Sequence, residues 1–145
     1  LSSSSAASDV YKRQVDDHII LIREYAVGTE SYELGFSKGL IDPGESVLEA
    51  ANRELKEEVG FGAQKLTFLK KLSMAPSYFS SKMNILVAED LYPESLPGDE
   101  PEPLPQVRWP LSQLMTLLDE EDFNEARNVS ALFLLREWLQ AQGRL

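Results

Sequence analysis

The sequence predicts a single domain of α/β (α+β) class, in which helices pack on one layer of β-sheet. Three observations lead to this prediction. Short apolar, β-branched runs typical of strands recur along the chain, two amphipathic segments have the period of a helix, and the two kinds of segment are mixed. The length of 145 residues suffices for one domain with a real core but not for two.

Five segments are predicted to form strands. Residues 18–25 are apolar and β-branched and end in charged side chains, which is typical of a buried strand. The other four runs have a similar strand-like composition. They span residues 32–34, 66–73, 83–91 and 106–109.

A glycine-rich loop leads into the first predicted helix, with a turn expected at residues 42–44, Asp-Pro-Gly. Ser46 followed by Glu49 forms the capping box that starts a helix, and Gly60 ends it. Four apolar residues recur at helical spacing and are expected to face the core. They are Leu48, Ala51, Leu55 and Val59.

Two further helices are predicted towards the end of the chain. Pro110 suits the first turn of a helix that continues to Leu118, and a last helix spans residues 128–142. Residues 74–81 and the acidic, proline-rich residues 92–105 are predicted to be loops. The last helix has four side chains expected to face inward: Leu132, Leu135, Trp138 and Leu139.

The first fourteen residues differ from everything that follows them. They are rich in serine and alanine, show neither strand nor helix periodicity, and lack the charged and apolar regions of a signal peptide. We therefore predict a non-native or disordered leader at residues 1–14 and a globular domain at residues 15–145.

Composition excludes several kinds of site. The absence of cysteine rules out disulfides and thiolate metal sites, and a single histidine, His18, cannot form a multi-histidine zinc site. The net charge of −10 argues against nucleic acid as a partner, and no apolar run has the length of a membrane span. The lack of cysteine suits a reducing compartment, so we expect a cytoplasmic protein.

Three acids crowd the first predicted helix. Glu54, Glu57 and Glu58 lie at spacings where like charges repel. At 100° per residue, Glu54 and Glu58 border the apolar face, whereas Glu57 lies further round, where Arg53 can pair with it. Carboxylates at the edge of a core are unfavourable unless a cation compensates them. Acidic helix faces are mostly only solvated, but this placement supports the hypothesis of a Mg²⁺ site.

Residues 39–61 resemble the Nudix box, and residues 15–145 as a whole resemble the ADP-ribose pyrophosphatase branch of the Nudix family. The resemblance implies the Nudix fold, an α/β/α sandwich with a mixed β-sheet. It also implies Mg²⁺- or Mn²⁺-dependent hydrolysis, with two or three ions bound together with the substrate. The box positions are Gly39, Glu45, Arg53, Glu54, Leu55, Glu57, Glu58, Gly60 and Phe61.

The resemblance also implies a substrate class and two other functions to weigh. Members of the branch cleave the pyrophosphate linkage of small ADP-linked molecules such as ADP-ribose, diadenosine triphosphate and NADH, releasing AMP. One alternative is a non-catalytic Nudix module that binds a nucleotide, and the other is a housecleaning nucleoside triphosphate pyrophosphatase. Regulatory modules usually lose box acids, so the complete set in this chain favours an enzyme.

Roles for single residues follow from the resemblance. Glu54 and Glu58 match the principal metal ligands, and Glu57 matches a third, catalytic acid and further ligand. Arg53 and Glu45 match the pair that orients the catalytic helix.

Outside the acids of the box, Lys38 stands where the family uses a main-chain carbonyl as a metal ligand, although two extra residues precede it here. Glu100 and then Glu102 are the candidates for a catalytic base in the late acidic loop. A proline-rich acidic loop is equally typical of a solvated surface.

Four side chains are candidates for substrate binding. Arg23 resembles an arginine that contacts phosphates, and Glu33 matches a position near the substrate cleft. Tyr78 or Phe79 is a candidate to stack on adenine. A surface charge or a core aromatic would explain the same residues.

Relatives in this branch carry N-terminal strands that help to form a homodimer and part of the adenine site. Residues 1–14 stand in their place here. The resemblance therefore implies an N-terminally truncated Nudix domain whose full-length parent is a homodimer, while dimerisation of this chain stays open.

Overall fold

The structure, a computed structural model that describes residues 4–12 and 17–145, is a seven-stranded sheet with helices on both faces. The predicted α/β/α arrangement is confirmed. The helices are α1 (Val47–Glu58) and α2 (Ala126–Ala141), with a 3₁₀ segment at Leu111–Asp119 between them. The strands are β1 (Ser4–Lys12), β2 (Asp17–Ala26), β3 (Ser31–Gly35), β4 (Lys38–Leu40), β5 (Phe61–Ser73), β6 (Lys82–Pro93) and β7 (Gln106–Pro110).

The sheet is mixed, as predicted. Its main path runs β3-β2-β1-β6-β5, with β4 paired to β1 and β7 paired to β2. The β1–β6 pairing is parallel, whereas the other pairings are antiparallel. The short strand β4 lies within the predicted glycine-rich loop, and its pairing fixes the chain just before α1.

Strand β2 is buried on both faces, which explains its unbroken apolar run. Ile19 and Leu21 pack on the side of α2 and the 3₁₀ segment. Ile20 and Ile22 pack on the opposite side with Leu55 of α1. Since neighbouring strand residues face opposite sides of a sheet, this one strand holds both helical layers in place.

Helix α1 begins and ends at the predicted signals. The Ser46 hydroxyl accepts a hydrogen bond from the Glu49 amide at 3.1 Å. Gly60 has a φ of +79°, a left-handed conformation that suits glycine, and its amide donates to the Leu55 carbonyl at 3.0 Å.

One predicted core position of α1 is wrong. Leu48 is 45% exposed, whereas Ala50, Ala51 and Leu55 are fully buried or nearly so. In the first turn it is Val47, not Leu48, that faces the core, where it packs against Ala51 and Leu86. Helical angles alone do not show which part of a stripe the rest of the fold covers.

The last helix packs as predicted, although it starts two residues earlier, at Ala126. Leu132, Leu135 and Leu139 are fully buried, and Trp138 is partly buried against the same cluster. The predicted helix after Pro110 is instead the 3₁₀ segment, interrupted at Gln113. In the part of the chain that the structure describes, no helix is long and apolar enough to cross a membrane.

The N-terminal segment differs from the prediction of a disordered leader at residues 1–14. Strand β1 (Ser4–Lys12) lies between β2 and β6 and pairs with both. Because a strand draws its hydrogen bonds from neighbours distant in sequence, a serine-rich segment can pair without a strand-like pattern of its own. Residues 1–3 and 13–16 lie outside the described residues, so the boundary at residue 15 and a non-native origin of the leader stay predictions.

Asn128 joins α2 to the end of β3. Its side-chain oxygen accepts a hydrogen bond from the Phe36 amide at 3.0 Å, and its side-chain nitrogen donates to Glu125 Oε2 at 3.2 Å. A Cβ at Gly35 would overlap the Asn128 amide, so glycine makes room for this contact. The side chain is only 3% exposed, which leaves water little access to the groups that it satisfies.

We predict that Asn128→Ala lowers the free energy of unfolding by about 1–3 kcal/mol, because the buried Phe36 amide loses its acceptor. Urea denaturation measures this change. Asn124→Ala is the matched control, since Asn124 is exposed, and its expected effect is below about 0.5 kcal/mol. Equal losses in the two variants would contradict the assignment of Asn128 as a structural link.

Candidate active site

The acids of α1 line a polar cavity of about 400 Å³, here called the acid cavity. Its walls come from α1, from the end of β2, from β4 and its connection to α1, from the start of α2 and from the loop that follows β6. Seven acidic and three basic side chains meet there. The acids are Glu24, Asp42, Glu54, Glu57, Glu58, Asp99 and Glu100, and the bases are Lys38, Arg53 and Arg127.

Arg53 is the most connected side chain of the acid cavity. It forms a double hydrogen bond with the Glu45 carboxylate, at 2.7 and 2.9 Å, and its Nη1 donates to Glu54 at 2.9 Å and to Glu57 at 3.1 Å. Its Nη2 also donates to the Leu40 carbonyl at 2.8 Å. These bonds raise the pKa of Arg53 and, on the other side, lower the pKa of Glu45.

Glu54 lies against the backbone of Gly39. A Cβ at that glycine would overlap the Glu54 carboxylate, so only glycine allows this approach. Burial raises the pKa of Glu54, and its contact with Arg53 opposes that shift. Gly39, at the start of the box, therefore allows Glu54, fifteen residues later, to take its position. The spacing of the two residues in the sequence does not reveal this contact.

Glu58 is held by the residues just before the box. One of its oxygens accepts hydrogen bonds from the Ser37 hydroxyl at 2.5 Å and from the Lys38 amide at 3.1 Å. Burial, together with the smaller effect of the nearby charges of Glu54 and Glu24, raises the pKa of Glu58 to about 7. The hydrogen bonds from Ser37 and from the Lys38 amide oppose this shift.

The three helix acids fit a hard divalent cation by their chemistry. As they stand, no group of three or more acidic or histidine side chains among the described residues is close enough to hold a metal ion. Arg53 donates a hydrogen bond to one oxygen of Glu54 and to one of Glu57, and the Ser37 hydroxyl donates to one oxygen of Glu58. The donors are all oxygens in a site rich in negative charge, which is what Mg²⁺ and Mn²⁺ prefer.

The Lys38 side chain lies between carboxylates at the edge of the acid cavity. Its Nζ is 3.7 Å from Glu24 Oε2 and 3.8 Å from Glu125 Oε2. Its amide binds Glu58, so the backbone of Lys38 stands beside a predicted metal ligand. The role of its carbonyl as a ligand stays a prediction.

The two candidate bases differ in position. Glu100 lines the acid cavity, and burial, followed by the charges of Glu24 and Asp99, raises its pKa. Glu102 lies outside that cavity and accepts a hydrogen bond from the Tyr32 hydroxyl at 3.0 Å. This geometry favours Glu100 over Glu102 as the base, in the order expected from the sequence.

A second cavity of about 430 Å³, here called the side cavity, adjoins the acid cavity and shares Glu24, Lys38 and Arg127 with it. Its remaining lining is largely apolar and comes from β2, β3 and the start of α2. Glu33 lies in this lining, and one of its oxygens accepts hydrogen bonds from Ser31 and Thr29 at 3.0 and 2.9 Å. Its other oxygen is buried without a partner among the described residues.

Three predicted substrate residues lie elsewhere. Arg23 forms an ion pair with Asp122, while Tyr78 is 87% exposed and Phe79 is 46% exposed on the turn after β5. The linings of the acid and side cavities contain none of these three residues. Their part in substrate binding stays a prediction without support from this geometry.

Of the lining residues that the sequence did not single out, Glu24 and Arg127 belong to both cavities. Glu24 follows Arg23 in β2, and strand alternation turns the two side chains to opposite faces, so that Glu24 is the one that reaches the cavities. The alternation was visible in the sequence, but not which face carries the site. Arg127 joins the site from the start of α2, where it also pairs with Glu125, and no local pattern indicated that position.

The similarity of this chain to known proteins shows to which family it belongs. A model described as NUDIX domain matches residues 5–133. The chain belongs to the Nudix hydrolase family. It is 86% identical to the ADP compounds hydrolase NudE of Escherichia coli (strain K12) over 131 residues, which are 90% of this chain and 70% of that protein.

Further comparisons agree with the Nudix assignment. The ADP-ribose pyrophosphatase of Bacillus subtilis (strain 168) is 27% identical over 128 residues, covering 86% of this chain and 69% of that protein. A crystal structure of an ADP compounds hydrolase matches with a TM-score of 0.91 and 81% identity, over 98% of this chain and 76% of that one. The predicted Nudix fold is thereby confirmed, and the chain is an enzyme of the Nudix hydrolase type.

We predict that Gly39→Ala weakens the binding of Mn²⁺ by about tenfold or more, because the added methyl group displaces the Glu54 carboxylate. Titration calorimetry measures the affinity. Gly28→Ala is the matched control, since a Cβ at Gly28 meets no atom within 4 Å, and its affinity should equal that of the wild type. Unchanged binding by Gly39→Ala would contradict the role of this close contact.

The lowered pKa of Glu45 predicts a pH-dependent contribution to stability. A carboxyl group whose pKa is lower in the folded state stabilises the fold above its ordinary value of 4.5, and this contribution is lost as the pH falls below that value. Glu45→Gln should therefore lower the urea midpoint at pH 7, with the difference from the wild type shrinking towards pH 3. Glu121→Gln, which removes an exposed acid outside this ion-pair network and outside the helices, is the matched control and should change the urea midpoint little at either pH. A pH-independent difference for Glu45→Gln would contradict the ion-pair interpretation.

Proposed function

We propose that this Nudix hydrolase cleaves the pyrophosphate linkage of small ADP-linked compounds such as ADP-ribose, diadenosine triphosphate and NADH, and releases AMP. The 86% identity to a protein named ADP compounds hydrolase supports this substrate class. The observation that carries the proposal is the junction of two cavities, one rich in carboxylates and the other largely apolar.

The two cavities suit the two chemical parts of such a substrate. A pyrophosphate needs positive charge and metal ions around it, whereas a nucleoside buries an apolar face and forms a few hydrogen bonds. Lys38 and Arg127 belong to both linings and offer positive charge where the two parts of the substrate would join. Glu33 lies in the lining of the side cavity, and its buried second oxygen has no partner among the described residues, so a turn of this side chain towards the cavity would offer an acceptor to a hydroxyl or amino group of the substrate.

Glu54, Glu57 and Glu58 are the residues that would hold Mg²⁺ or Mn²⁺, two or three ions with the substrate, with the Lys38 carbonyl as a further ligand. Bound divalent ions neutralise phosphate oxygens and lower the pKa of a water molecule. Arg53 holds Glu54 and Glu57 on the same side of α1, and Glu45 fixes Arg53 in turn. This support limits the freedom of the acids before the substrate arrives.

Glu100 is the proposed general base. In the reaction a water oxygen forms a bond to one phosphorus of the pyrophosphate while the bond from that phosphorus to the bridging oxygen breaks. The Glu100 carboxylate accepts the proton that the water loses. Burial and the acids around it raise the pKa of Glu100, which brings it closer to the pH at which a base transfers protons efficiently.

We also propose that the enzyme acts in the cytoplasm and that full-length members of its branch are homodimers, with dimerisation of this chain a question for experiment. The absence of cysteine supports a reducing compartment, and the family resemblance supports the dimer. Light scattering of the purified protein distinguishes a monomer from a dimer.

The test of the substrate class is a panel of ADP-ribose, diadenosine triphosphate, NADH and dGTP, each with Mg²⁺ and with chromatographic analysis of the products. We expect AMP from the three ADP-linked compounds and little reaction with dGTP. Pyrophosphate released from dGTP as the main product would instead identify a housecleaning triphosphate pyrophosphatase. No product from any compound would favour a nucleotide-binding module.

Glu58→Gln tests the chemistry within the same panel. We expect kcat to fall by more than about 100-fold, since even the outer partners of metal ligands contribute 10- to 100-fold. Glu49→Gln, on the same helix but outside both cavities, should retain the activity of the wild type. Retained turnover in a folded Glu58→Gln protein would rule out the proposed role of Glu58.

A further inference from the structure

The loop that carries Glu100, here called the acidic loop (residues 94–105), is anchored at both ends. At its start, the Glu94 amide donates to the Gly60 carbonyl and the Leu96 amide donates to the Lys56 carbonyl, each at 3.1 Å. At its end, the Pro105 carbonyl accepts a hydrogen bond from the Arg23 amide at 2.9 Å. The residues between these anchors must be positioned by other contacts.

The middle of the acidic loop has one hydrogen bond to a distant part of the described chain. The Tyr32 hydroxyl, on β3, donates to Glu102 Oε1 at 3.0 Å across a separation of 70 residues. The bond to Glu102 and its charge raise the pKa of Tyr32, so the hydroxyl keeps its proton and remains a donor. Leu104 adds an apolar contact with the core cluster under α1.

Tyr32 is itself held in place by the sheet. It stands opposite Tyr25 in the β2–β3 register, and the two rings meet edge to face with centroids 5.4 Å apart. Tyr25 also lines the side cavity. The hydroxyl of Tyr32 therefore extends from a rigid strand to the loop, rather than from one flexible segment to another.

Two prolines connect Glu102, which is bound by Tyr32, to Glu100, the proposed base. Pro101 lies between Glu100 and Glu102, and Pro103 follows directly. Each proline fixes its own φ and restricts the residue before it to extended conformations. A segment of this kind has few internal degrees of freedom, so a restraint on Glu102 also restrains Glu100 two residues earlier.

A cavity under the acidic loop leaves room for the loop to move, so a restraint on it affects the position of Glu100. A third cavity of about 390 Å³ lies between the loop and the end of α1, and its lining includes Glu58, Glu100 and Glu102. Gly98 lies close to Glu57 of α1 and Leu104 packs on the core cluster, whereas residues 100–103 between them line this cavity. Without a tether, Glu100 would have room to leave the acid cavity.

We propose that the hydrogen bond between Tyr32 and Glu102 is a latch that positions Glu100 in the acid cavity, and that Tyr32 is a positioning residue for hydrolysis. The inference rests on the proposed function for the role of Glu100. It assigns Glu102 to the latch and not to proton transfer.

Three variants test the latch in kinetics with ADP-ribose and Mg²⁺. Tyr32→Phe removes the hydroxyl and keeps the ring, and Glu102→Ala removes the acceptor. Each should lower kcat about three- to tenfold, the range expected for one hydrogen bond, with KM nearly unchanged. Glu102→Gln keeps an oxygen acceptor and should behave as the wild type does. Ser130→Ala is the control for loss of a hydroxyl, since the Ser130 hydroxyl donates to the Ala126 carbonyl within α2 and the residue lies outside all three cavities.

The double variant Tyr32→Phe with Glu102→Ala distinguishes a shared contact from two separate roles. If the two residues act only through their mutual bond, the double variant is no slower than either single variant. If the fold decreases in kcat of the two single variants instead multiply in the double variant, the latch is overturned. A Glu102→Gln protein as slow as Glu102→Ala would also overturn it, and would identify the carboxylate of Glu102 as the reacting group.

Backbone ¹⁵N relaxation gives a readout that does not depend on activity. The order parameters of the loop amides should be lower in Tyr32→Phe and Glu102→Ala than in the wild type, and equal to the wild type in Glu102→Gln. The amides in question are those of Gly98, Asp99, Glu100, Glu102 and Leu104. Unchanged order parameters in all variants would refute the latch. If the wild type hydrolysed no ADP-linked compound, the proposed function would fail while the order parameters still decided whether the latch exists.

Discussion

The guanidinium of Arg53 is the interaction on which the site depends. Its five donors bind the carboxylates of Glu45, Glu54 and Glu57 and the carbonyl of Leu40. Acids at neighbouring positions of one helix repel one another, and partial burial increases that cost. One fixed positive group among them reduces the repulsion and sets their orientation. A lysine at this position would offer a point charge without the planar geometry that several partners require.

The sheet brings the other half of the site to this helix. Near its end, strand β2 carries Glu24 at the cavities, and β4 presents the backbone of Lys38 and Gly39 to Glu58 and Glu54. Both strands pair with β1, so the same hydrogen-bonding network that builds the sheet sets the distance between its loops and α1. Substrate-sized space arises where these loops do not fill the gap between the helical layers.

The contacts also divide the acids by their surroundings. Glu45 has a lowered pKa beside Arg53, whereas burial raises the pKa of Glu54 and Glu58. Glu100, on the opposite wall, has a raised pKa for a similar reason. Carboxylates in this site thus differ in their affinity for protons and cations. The burial and the bonding partners of each carboxylate set that affinity.

Local interactions made much of this protein predictable from its sequence. The helix limits at Ser46 and Gly60, the pairing of Arg53 with Glu57 and the buried strand β2 depend on neighbours within a few residues, and such patterns are visible in one dimension. The box acids could be identified because their spacing along a helix is itself the signal. The exposure of Leu48 could not, since it depends on which part of the fold covers the first turn.

Only the tertiary structure decided which distant residues complete the site. Arg127 lies 69 residues after Glu58, the last of the α1 acids, and Glu102 meets Tyr32 across 70 residues. Strand β1, with its serine-rich sequence, is likewise defined by partners on both sides. The sequence by itself determined the acidic helix and the family to which it belongs. The packing of loops around that helix depends on long-range contacts, whose free energies no local pattern records.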